Sequence, residues 1–228
     1  MTERKDETAS MTTGESAQDV FLQGMARLDV DVSRETQDRL EILVDTLMRW
    51  QKAINLVSQA SLREVWIRHV LDSAQLVPLI PSEAQSLLDL GSGAGFPGLV
   101  VAALNPRLAV TLLEADARKA AFLGEASRRM GLAKPPKIVM ARIEAGPAMV
   151  PDVITARALA PLGQLLSWAN RYRGDATICL FHKGKGWQAE LTEAMKNWDI
   201  PYQPSTSVTD IGAVILRIGR FTPRGTGD

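Results

Sequence analysis

The chain has 228 residues, with 26 basic and 26 acidic side chains and a formal charge of zero. Hydrophobic residues make up 46% and charged residues 23%, a composition typical of a globular chain of about one domain. These figures exclude a mainly disordered protein, a disulfide scaffold and a collagen-like chain. They also disfavour a partner bound by overall positive charge alone. One cysteine, Cys179, and two histidines, His69 and His182, are too few for a cysteine-rich or multi-histidine metal centre, so we expect no bound metal.

The N-terminal part of the chain is predicted to be a polar tail followed by helices. Residues 1–19 lack apolar periodicity and carry a charge of −3, so we expect a disordered tail. From residue 20 to 82 apolar residues recur at three- and four-residue steps, which predicts a helical extension. Ser33 is predicted to cap one helix, and Ser61 with Glu64 to open another as a capping box. With no secretory signal and no apolar run near the roughly 18 residues of a membrane span, we expect a cytoplasmic protein.

Residues 83–221 show short apolar runs alternating with helical stretches, which predicts a mostly parallel sheet with helices on both faces. A final antiparallel strand is expected in the run 211–218, after a loop that contains Pro201 and Pro204, and residues 222–228 are expected to form a short tail. The other candidate strands are 86–90, 109–114, 137–141, 152–155 and 177–181, with helices between them at about 97–104, 116–130, 161–170 and 186–197.

The strongest local motif is a glycine loop directly after the first strand, Gly91-Ser92-Gly93-Ala94-Gly95-Phe96-Pro97-Gly98. Glycines permit backbone angles closed to other residues and let a ligand approach the main chain. Glu114, at the end of the next strand, can accept hydrogen bonds from both ribose hydroxyls of a nucleoside. The pattern favours S-adenosylmethionine (SAM), because counted from Gly91 the third glycine of the dinucleotide fingerprint falls on Phe96. A dinucleotide and a purely structural turn stay open as alternatives from this loop alone.

The glycine loop and several flanking motifs resemble the bacterial RsmG (GidB) family of small-subunit rRNA guanine-N7 methyltransferases. The flanking motifs are Trp50-x-x-x-x-Asn55-Leu56, Arg68-His69-x-x-Asp72-Ser73, Arg142-Ile143-Glu144, Arg157-Ala158 and Lys183-Gly184. The resemblance spans about residues 20–219. It implies an α/β, Rossmann-like class I SAM-dependent methyltransferase with a mostly parallel seven-stranded sheet and an N-terminal helical extension. It also implies methylation of N7 of one guanine in the 530 loop of 16S rRNA. The sequence departs from the family pattern at His182, where many members carry an apolar residue.

The resemblance further implies which residues contact SAM. The glycine loop would contribute Gly91, Gly93, Gly95 and Phe96; Glu114 would hold the ribose, Ile143 and Glu144 would flank the adenine, and Arg157 would lie at the methyl-transfer end. Guanine N7 has a free lone pair and no proton, so the reaction needs positioning and no general base. We expect Arg157 to be the catalytic residue, through a hydrogen bond to guanine O6 or a nearby phosphate. Asp89 is expected either to order the loop or to approach the SAM amino group.

Basic residues indicate an RNA-binding face. Residues 107–142 carry a local charge of +5, although such an excess taken alone is more often an ordinary solvated helix face. The expected RNA contacts are Arg118, Lys119, Lys183 and His69, and His69 is also expected to join the N-terminal helices to the SAM site. Lys52 and Asn55 could face RNA as well, although Asn55 could equally cap a helix end. The expected partner is 16S rRNA or the small ribosomal subunit, bound by a monomer; an NAD-dependent oxidoreductase and a non-catalytic RNA-binding module are the alternative functions.

Overall fold

The computed structural model describes residues 16–225, in which nine strands form one large and one small sheet. The strands are β1 Ser86–Leu90, β2 Ala109–Glu114, β3 Lys137–Met140, β4 Val153–Ala156, β5 Ile178–Lys183, β6 Trp198–Asp199, β7 Tyr202–Thr206, β8 Val214–Ile218 and β9 Thr222–Pro223. The large sheet has seven strands in the order β3-β2-β1-β4-β5-β8-β7, of which the first five are parallel and the last two antiparallel. The predicted fold class is therefore confirmed, and so is an antiparallel strand in the run 211–218, although it begins only at Val214.

Two segments predicted as loop and tail are strands instead. Residues 202–206, predicted as loop because of Pro201 and Pro204, form the edge strand β7, in which Pro204 is opposite Leu216. An edge strand tolerates proline, because the missing N–H leaves no gap in an inner ladder. The predicted tail begins too early as well: β9 pairs with β6 in a short antiparallel ribbon. Residues 226–228 of that tail lie outside the described residues.

Helices cover both faces of the large sheet. They are α1 Ala17–Arg27, α2 Arg34–Trp50, α3 Gln59–Leu62, α4 Asp72–Ala74, α5 Gly98–Leu104, α6 Ala117–Met130, α7 Leu162–Asn170 and α8 Trp187–Ala194. A π-helical segment, Trp66–Leu71, leads directly into α4, and single 3-10 turns lie at Val77–Leu79 and Ile143–Ala145. The N-terminal extension thus consists of helices, as predicted, up to the first strand.

The predicted N-terminal tail is too long by four residues. Ser16 accepts a hydrogen bond from the backbone N–H of Asp19, and the Asp19 carboxylate accepts one from the Ser16 N–H at 2.9 Å. This capping box satisfies two N–H groups at the start of α1 and fixes where the helix begins. Residues 16–19 therefore belong to a helix and its cap, while residues 1–15 lie outside the described residues.

The next two helix starts are also set by serines, one predicted and one not. Ser33 caps α2 through the N–H of Thr36, as expected. The predicted capping box at Ser61 is wrong, because Ser58 caps α3 by accepting from the Ser61 N–H. Ser61 lies inside that short helix, and its hydroxyl is hydrogen-bonded to His69.

The N-terminal extension and the sheet share one hydrophobic core. The ring of Trp50 on α2 meets Phe122 on α6 edge-on at 5.9 Å, and Phe21 on α1 lies 5.6 Å from Trp66. These contacts continue through fully buried leucines of α2 into the helices on one face of the sheet. Burying a leucine contributes roughly 1.5–3 kcal/mol, so the extension is held on the sheet by its core and not by a linker. The helices α7 and α8 cover the opposite face with a second apolar cluster.

Candidate active site

The glycine loop leaves β1 at the edge of the sheet where the parallel strands end. Gly91, Gly93 and Gly95 all have positive φ, at +62°, +53° and +81°. A Cβ on Gly91 would lie 2.5 Å from Leu159 Cδ1, whereas one on Gly93 would meet only the Gly91 carbonyl oxygen, at 3.7 Å. The loop conformation therefore requires glycine, and at Gly93 the main chain faces free space that a ligand can approach.

A cavity of about 1430 Å³ lies above this loop, along the carboxyl ends of the strands. In open α/β sheets this edge is where ligands bind. The predicted site residues that line it are Gly91, Gly93, Phe96, Glu114, Ile143, Glu144, Arg157, His69, Lys119 and Lys183. Gly95 and Arg118 are predicted site residues that do not line it, Gly95 because it packs under the loop against the Leu99 side chain.

Glu114 connects the end of β2 to the glycine loop. Its carboxylate is buried and accepts two backbone hydrogen bonds of 2.8 Å, one from the N–H of Gly93 and one from the N–H of Asp116. A carboxylate has about four lone-pair sites, so each oxygen of Glu114 keeps capacity for one further donor. The side chain is held in place before any ligand arrives.

The 3-10 turn after β3 forms a second wall of the cavity. Ile143 is buried there, and its carbonyl oxygen accepts from the hydroxyl of buried Tyr172. The carboxylate of Glu144 accepts from the indole N–H of Trp168 at 2.7 Å. The pKa of Glu144 lies below its ordinary value because its own backbone N–H, and then Trp168, donate to the charged form. Trp168 on α7 and Tyr172 just after it thus fix the turn that presents Ile143 to the cavity.

Arg157 follows β4 and reaches across the cavity to the N-terminal extension. Its Nη1 donates to the carboxylate of Asp72 at 3.1 Å and to the carbonyl of Arg68 at 3.0 Å. Its guanidinium lies 5.4 Å from the centre of the Phe96 ring. The next residue, Ala158, has a φ of +50°, which an L-residue rarely adopts and which turns the chain sharply just after the arginine.

Residues 36–217 match the family model described as GidB, rRNA small subunit methyltransferase G. The chain belongs to this family. Relatives carrying the name ribosomal RNA small subunit methyltransferase G match over nearly their whole length. The protein of Jannaschia sp. (strain CCS1) is 49% identical over 200 residues, 86% of this chain and 94% of its own. The protein of Gluconobacter oxydans (strain 621H) is 47% identical over 192 residues, 83% of this chain and 96% of its own.

Solved structures share the fold at low sequence identity. A cofactor-bound protein from MTB aligns with a TM-score of 0.57 and 15% identity over 90% of this chain and 98% of its own. The ribosomal protein L11 methylase of Lactobacillus delbrueckii subsp. bulgaricus aligns with a TM-score of 0.54 and 14% identity over 67% of this chain and 78% of its own. The Rossmann-like methyltransferase fold of the GidB family is thereby shown.

His69 links the extension of this GidB-family chain to the cavity. Its Nδ1 lies 2.7 Å from Nη2 of Arg157, its Nε2 lies 2.9 Å from the Ser61 hydroxyl, and its ring stacks on Phe96 at 5.0 Å. Burial, and then the charge of Arg157, lower the pKa of His69 to about 4. The side chain is 8% exposed and both ring nitrogens are engaged, an arrangement that suits a link to the extension and disfavours direct contact with RNA.

Asp72 is the residue whose role the sequence motif left unassigned. One carboxylate oxygen accepts from Arg157, and the other accepts from the Gln75 amide and the Thr209 hydroxyl, both at 2.8 Å. Its carbonyl oxygen accepts from Nε2 of His182 at 2.7 Å. Asp72 therefore ties the extension to the ends of β4 and β5 and to the loop before β8. Its place in the Arg68-His69-x-x-Asp72-Ser73 motif was the only signal for it in the sequence.

The basic residues predicted to contact RNA differ in accessibility. The side chain of Lys183 is 7% exposed, and its ammonium lies 2.5 Å from the Glu190 carboxylate and 3.0 Å from the carbonyl of Ala160. Contact between Lys183 and RNA thus stays a prediction that requires this ion pair to open. Arg118 is exposed and Lys119 half-buried, at the start of α6. They line a separate cleft of about 280 Å³ together with Lys52, and Lys119 also lines the main cavity.

Asp89 lies beneath the loop, where it orders the strands. It is 1% exposed, does not line the cavity, and accepts a 2.8 Å hydrogen bond from the Thr155 hydroxyl on β4. Burial raises the pKa of Asp89 to about 6. Its carbonyl oxygen accepts from the hydroxyl of Ser92 in the glycine loop at 3.0 Å, which together with its absence from the cavity lining favours loop ordering over contact with the SAM amino group. Within residues 16–225, no group of three or more His, Cys, Asp or Glu side chains is placed to hold a metal ion, and no helix is long and apolar enough to cross a membrane.

Proposed function

We propose that this protein uses SAM to methylate N7 of a guanine in the 530 loop of 16S rRNA. The observation that carries the proposal is the convergence of the glycine loop, Glu114 and Arg157 on one cavity in a chain of the GidB family. The particular base follows from the resemblance of the motifs to that family's guanine-N7 enzymes. We place the reaction in the cytoplasm and expect the protein to act as a monomer.

The cavity suits SAM in three respects. The main chain at Gly93 is open to close approach, so the methionine part of SAM can lie against the loop. The Glu114 carboxylate retains lone pairs for the two ribose hydroxyls while the Gly93 and Asp116 N–H groups hold it. Ile143 offers an apolar surface for the adenine. When bound, SAM supplies a methyl group made electrophilic by its sulfonium.

Arg157 would orient the guanine. A guanidinium has five N–H donors, and three of them are used by the carbonyl of Arg68, the carboxylate of Asp72 and Nδ1 of His69. The remaining two, on Nε and Nη2, have no partner among the described residues and suit guanine O6 or a phosphate oxygen. Asp72 offsets the charge of Arg157, which limits electrostatic repulsion of a positive methyl donor. The nucleophile has a free lone pair, so no side chain needs to remove a proton.

The cleft beside the cavity would bind the RNA backbone. Lys52, Arg118 and Lys119 line it, against the single carboxylate of Asp116. That carboxylate caps α6, accepting from the N–H groups of Arg118 and Lys119, and these bonds keep the pKa of Asp116 below its ordinary value. Because Lys119 also lines the cavity, a phosphate in the cleft would be close to the nucleotide being methylated.

Ligand titration followed by methyl transfer tests the proposal. S-adenosylhomocysteine, the demethylated product, should raise the melting temperature of the protein, and NAD should leave it unchanged. With isotope-labelled SAM, the protein should then label 16S rRNA in small subunits from a strain that lacks the modification. Stabilisation by NAD alone would indicate an oxidoreductase, and RNA binding without SAM binding or methyl transfer would indicate a non-catalytic RNA-binding module.

A further inference from the structure

We propose that His69 is a positioning residue that fixes the plane of the Arg157 guanidinium, and that Ser61 selects the imidazole tautomer in which His69 can do so. The catalytic consequence rests on the proposed function, whereas the tautomer can be observed without it. Both nitrogens of the His69 ring have hydrogen-bond partners, Arg157 on one side and Ser61 on the other.

The direction of each hydrogen bond in the series from Arg157 through His69 to Ser61 and Ser58 follows from which atoms can donate and which can accept. A guanidinium only donates, so Nδ1 of His69 must accept from Nη2 of Arg157, at 2.7 Å. The ring proton then lies on Nε2 and is donated to the Ser61 hydroxyl oxygen at 2.9 Å. That oxygen also accepts from the Ser58 hydroxyl, and the Ser61 hydroxyl hydrogen is donated to the Ser58 carbonyl, both at 2.9 Å. Every donor and acceptor of the Ser61 hydroxyl is used, so only the neutral Nε2–H form of His69 satisfies the network.

His69 supplies the second of two anchors on Arg157. The first anchor is on Nη1, which bonds to the Asp72 carboxylate and to the carbonyl of Arg68. Contacts to Nη1 restrain the guanidinium at that end only. A bond to Nη2 fixes the plane and therefore the direction of the two N–H groups that remain for substrate. Accurate direction matters, because a displacement of about 1 Å at a reacting group can cost on the order of 100-fold in rate.

The glycine loop takes part in the same arrangement. His69 stacks on the Phe96 ring with centroids 5.0 Å apart and an angle of 23° between the planes, and the Arg157 guanidinium lies 5.4 Å from that ring. The neutral state of the imidazole agrees with its surroundings, since burial holds the pKa of His69 far below neutrality. A residue of the N-terminal extension thus sets the geometry of a side chain on the sheet, 88 positions along the chain.

Two amide substitutions separate positioning from simple packing. His69→Asn leaves an amide oxygen near the place of Nδ1, within reach of Arg157, whereas His69→Gln extends its amide toward Ser61 and beyond the guanidinium. Both lose the stacked ring. We expect His69→Asn to keep kcat within about threefold of wild type and His69→Gln to lower kcat by about 100-fold, with the same Kd for S-adenosylhomocysteine in the two variants. Equal losses of kcat in the two variants, or full activity of Arg157→Ala, would overturn the proposal.

The tautomer is measured independently of activity. Long-range proton–nitrogen spectra of the wild-type protein should show the His69 ring neutral and protonated on Nε2 between about pH 6 and 8. Ser61→Ala removes the acceptor for that proton and should shift the His69 nitrogen signals, while Ser61→Thr keeps the hydroxyl and should restore them. A charged ring or an Nδ1–H tautomer in the wild type contradicts the proposal even if methyl transfer is confirmed. Absence of methyl transfer together with the expected spectra contradicts only the proposed function.

Discussion

Glu114 accepts a 2.8 Å hydrogen bond from the backbone N–H of Gly93, so the acidic end of β2 holds the glycine loop that follows β1. Its other oxygen accepts from the N–H of Asp116, so both carboxylate oxygens are needed. An amide has one oxygen, and Glu114→Gln would therefore set an NH₂ group against a backbone N–H. This relationship makes Glu114 both part of the loop's support and the expected acceptor for ribose.

We expect Glu114→Gln to weaken binding of S-adenosylhomocysteine by roughly 10- to 100-fold, since hydrogen bonds to charged groups contribute about 1.5–3 kcal/mol each. Isothermal titration calorimetry measures the Kd directly. Glu193→Gln is the matched control, because Glu193 is exposed and forms a surface ion pair with Lys196, far from the glycine loop in sequence. A Kd for Glu114→Gln within twofold of that control would show that the carboxylate does not hold the ligand.

Gly91→Ala should damage the loop more than positive φ alone explains. The Cβ would lie 2.5 Å from a Leu159 methyl group at a φ of +62°, whereas at Gly131, with a φ of +57°, it would meet nothing within 4 Å. Gly131→Ala therefore reports the backbone strain, about 1–2 kcal/mol, and Gly91→Ala adds a steric clash. We expect a lower melting temperature for Gly91→Ala than for Gly131→Ala and a smaller shift on adding S-adenosylhomocysteine. Equal values for the two variants would rule out this account of the loop.

Asp89 should give the protein an acid-side pH dependence of stability. Burial raises the pKa of Asp89 from 3.8 to about 6 in the folded state, so ionising it costs more free energy in the folded chain than in the unfolded one. The contribution of Asp89 to the free energy of unfolding should therefore be present in full below about pH 4. It should be lost as the pH rises from about 4 to about 6, with no further change above that. Urea unfolding of wild type and Asp89→Asn at several pH values measures this contribution of Asp89.

Thr155, the hydrogen-bond partner of Asp89, provides a control for this pH dependence. The Thr155 hydroxyl donates to the Asp89 carboxylate and favours its charged form, so Thr155→Val should extend the window above pH 6. The difference in unfolding free energy between wild type and Asp89→Asn should change with pH inside the window and be constant above it. A difference that is the same at every pH would mean that Asp89 ionises as it does in the unfolded chain.

The cleft beside the cavity should control the salt dependence of RNA binding. Removing two phosphate-binding cations with Lys52→Ala and Arg118→Ala should weaken rRNA binding and reduce the slope of log K against log salt by about 1.4–1.8. Binding of S-adenosylhomocysteine should not change. Lys137→Ala removes an exposed charge at the amino end of β3, opposite the cavity edge, and serves as the control. If the slope of log K against log salt is the same in wild type, in the variant that combines Lys52→Ala with Arg118→Ala, and in Lys137→Ala, the cleft has no role in RNA binding.

Local sequence patterns predicted the elements that the sheet core dictates. The bounds of β1 and β2 agree with the prediction at both ends, because these inner strands are short, mostly apolar runs that are almost entirely buried. The edge strand β7 was missed, because it is largely exposed and contains Pro204, and such a segment carries the composition of a loop. A strand stabilised by a single neighbour leaves little periodicity in its own sequence.

The site was predictable where it is built from consecutive residues and not where it is built from distant ones. The glycine loop and Glu114 could be predicted, because the loop and the end of the strand are each recognisable from consecutive residues. The role of Asp72 was not, since its partners Arg157 and Thr209 lie 85 and 137 positions away. Ser61 was misjudged for a different reason: it has the spacing of a helix cap, yet Ser58 caps the helix and the Ser61 hydroxyl is hydrogen-bonded to the side chain of His69, eight positions away.

The position of the transferred methyl group tests the central claim most directly. Small subunits from a strain that lacks this modification are incubated with the purified protein and labelled SAM, and the 16S rRNA is digested and mapped by mass spectrometry. The account predicts one labelled 7-methylguanosine in the 530 loop with the wild-type protein and little or none with Arg157→Ala. A label on another base or another position of guanine, or no label although the protein binds SAM, would contradict it.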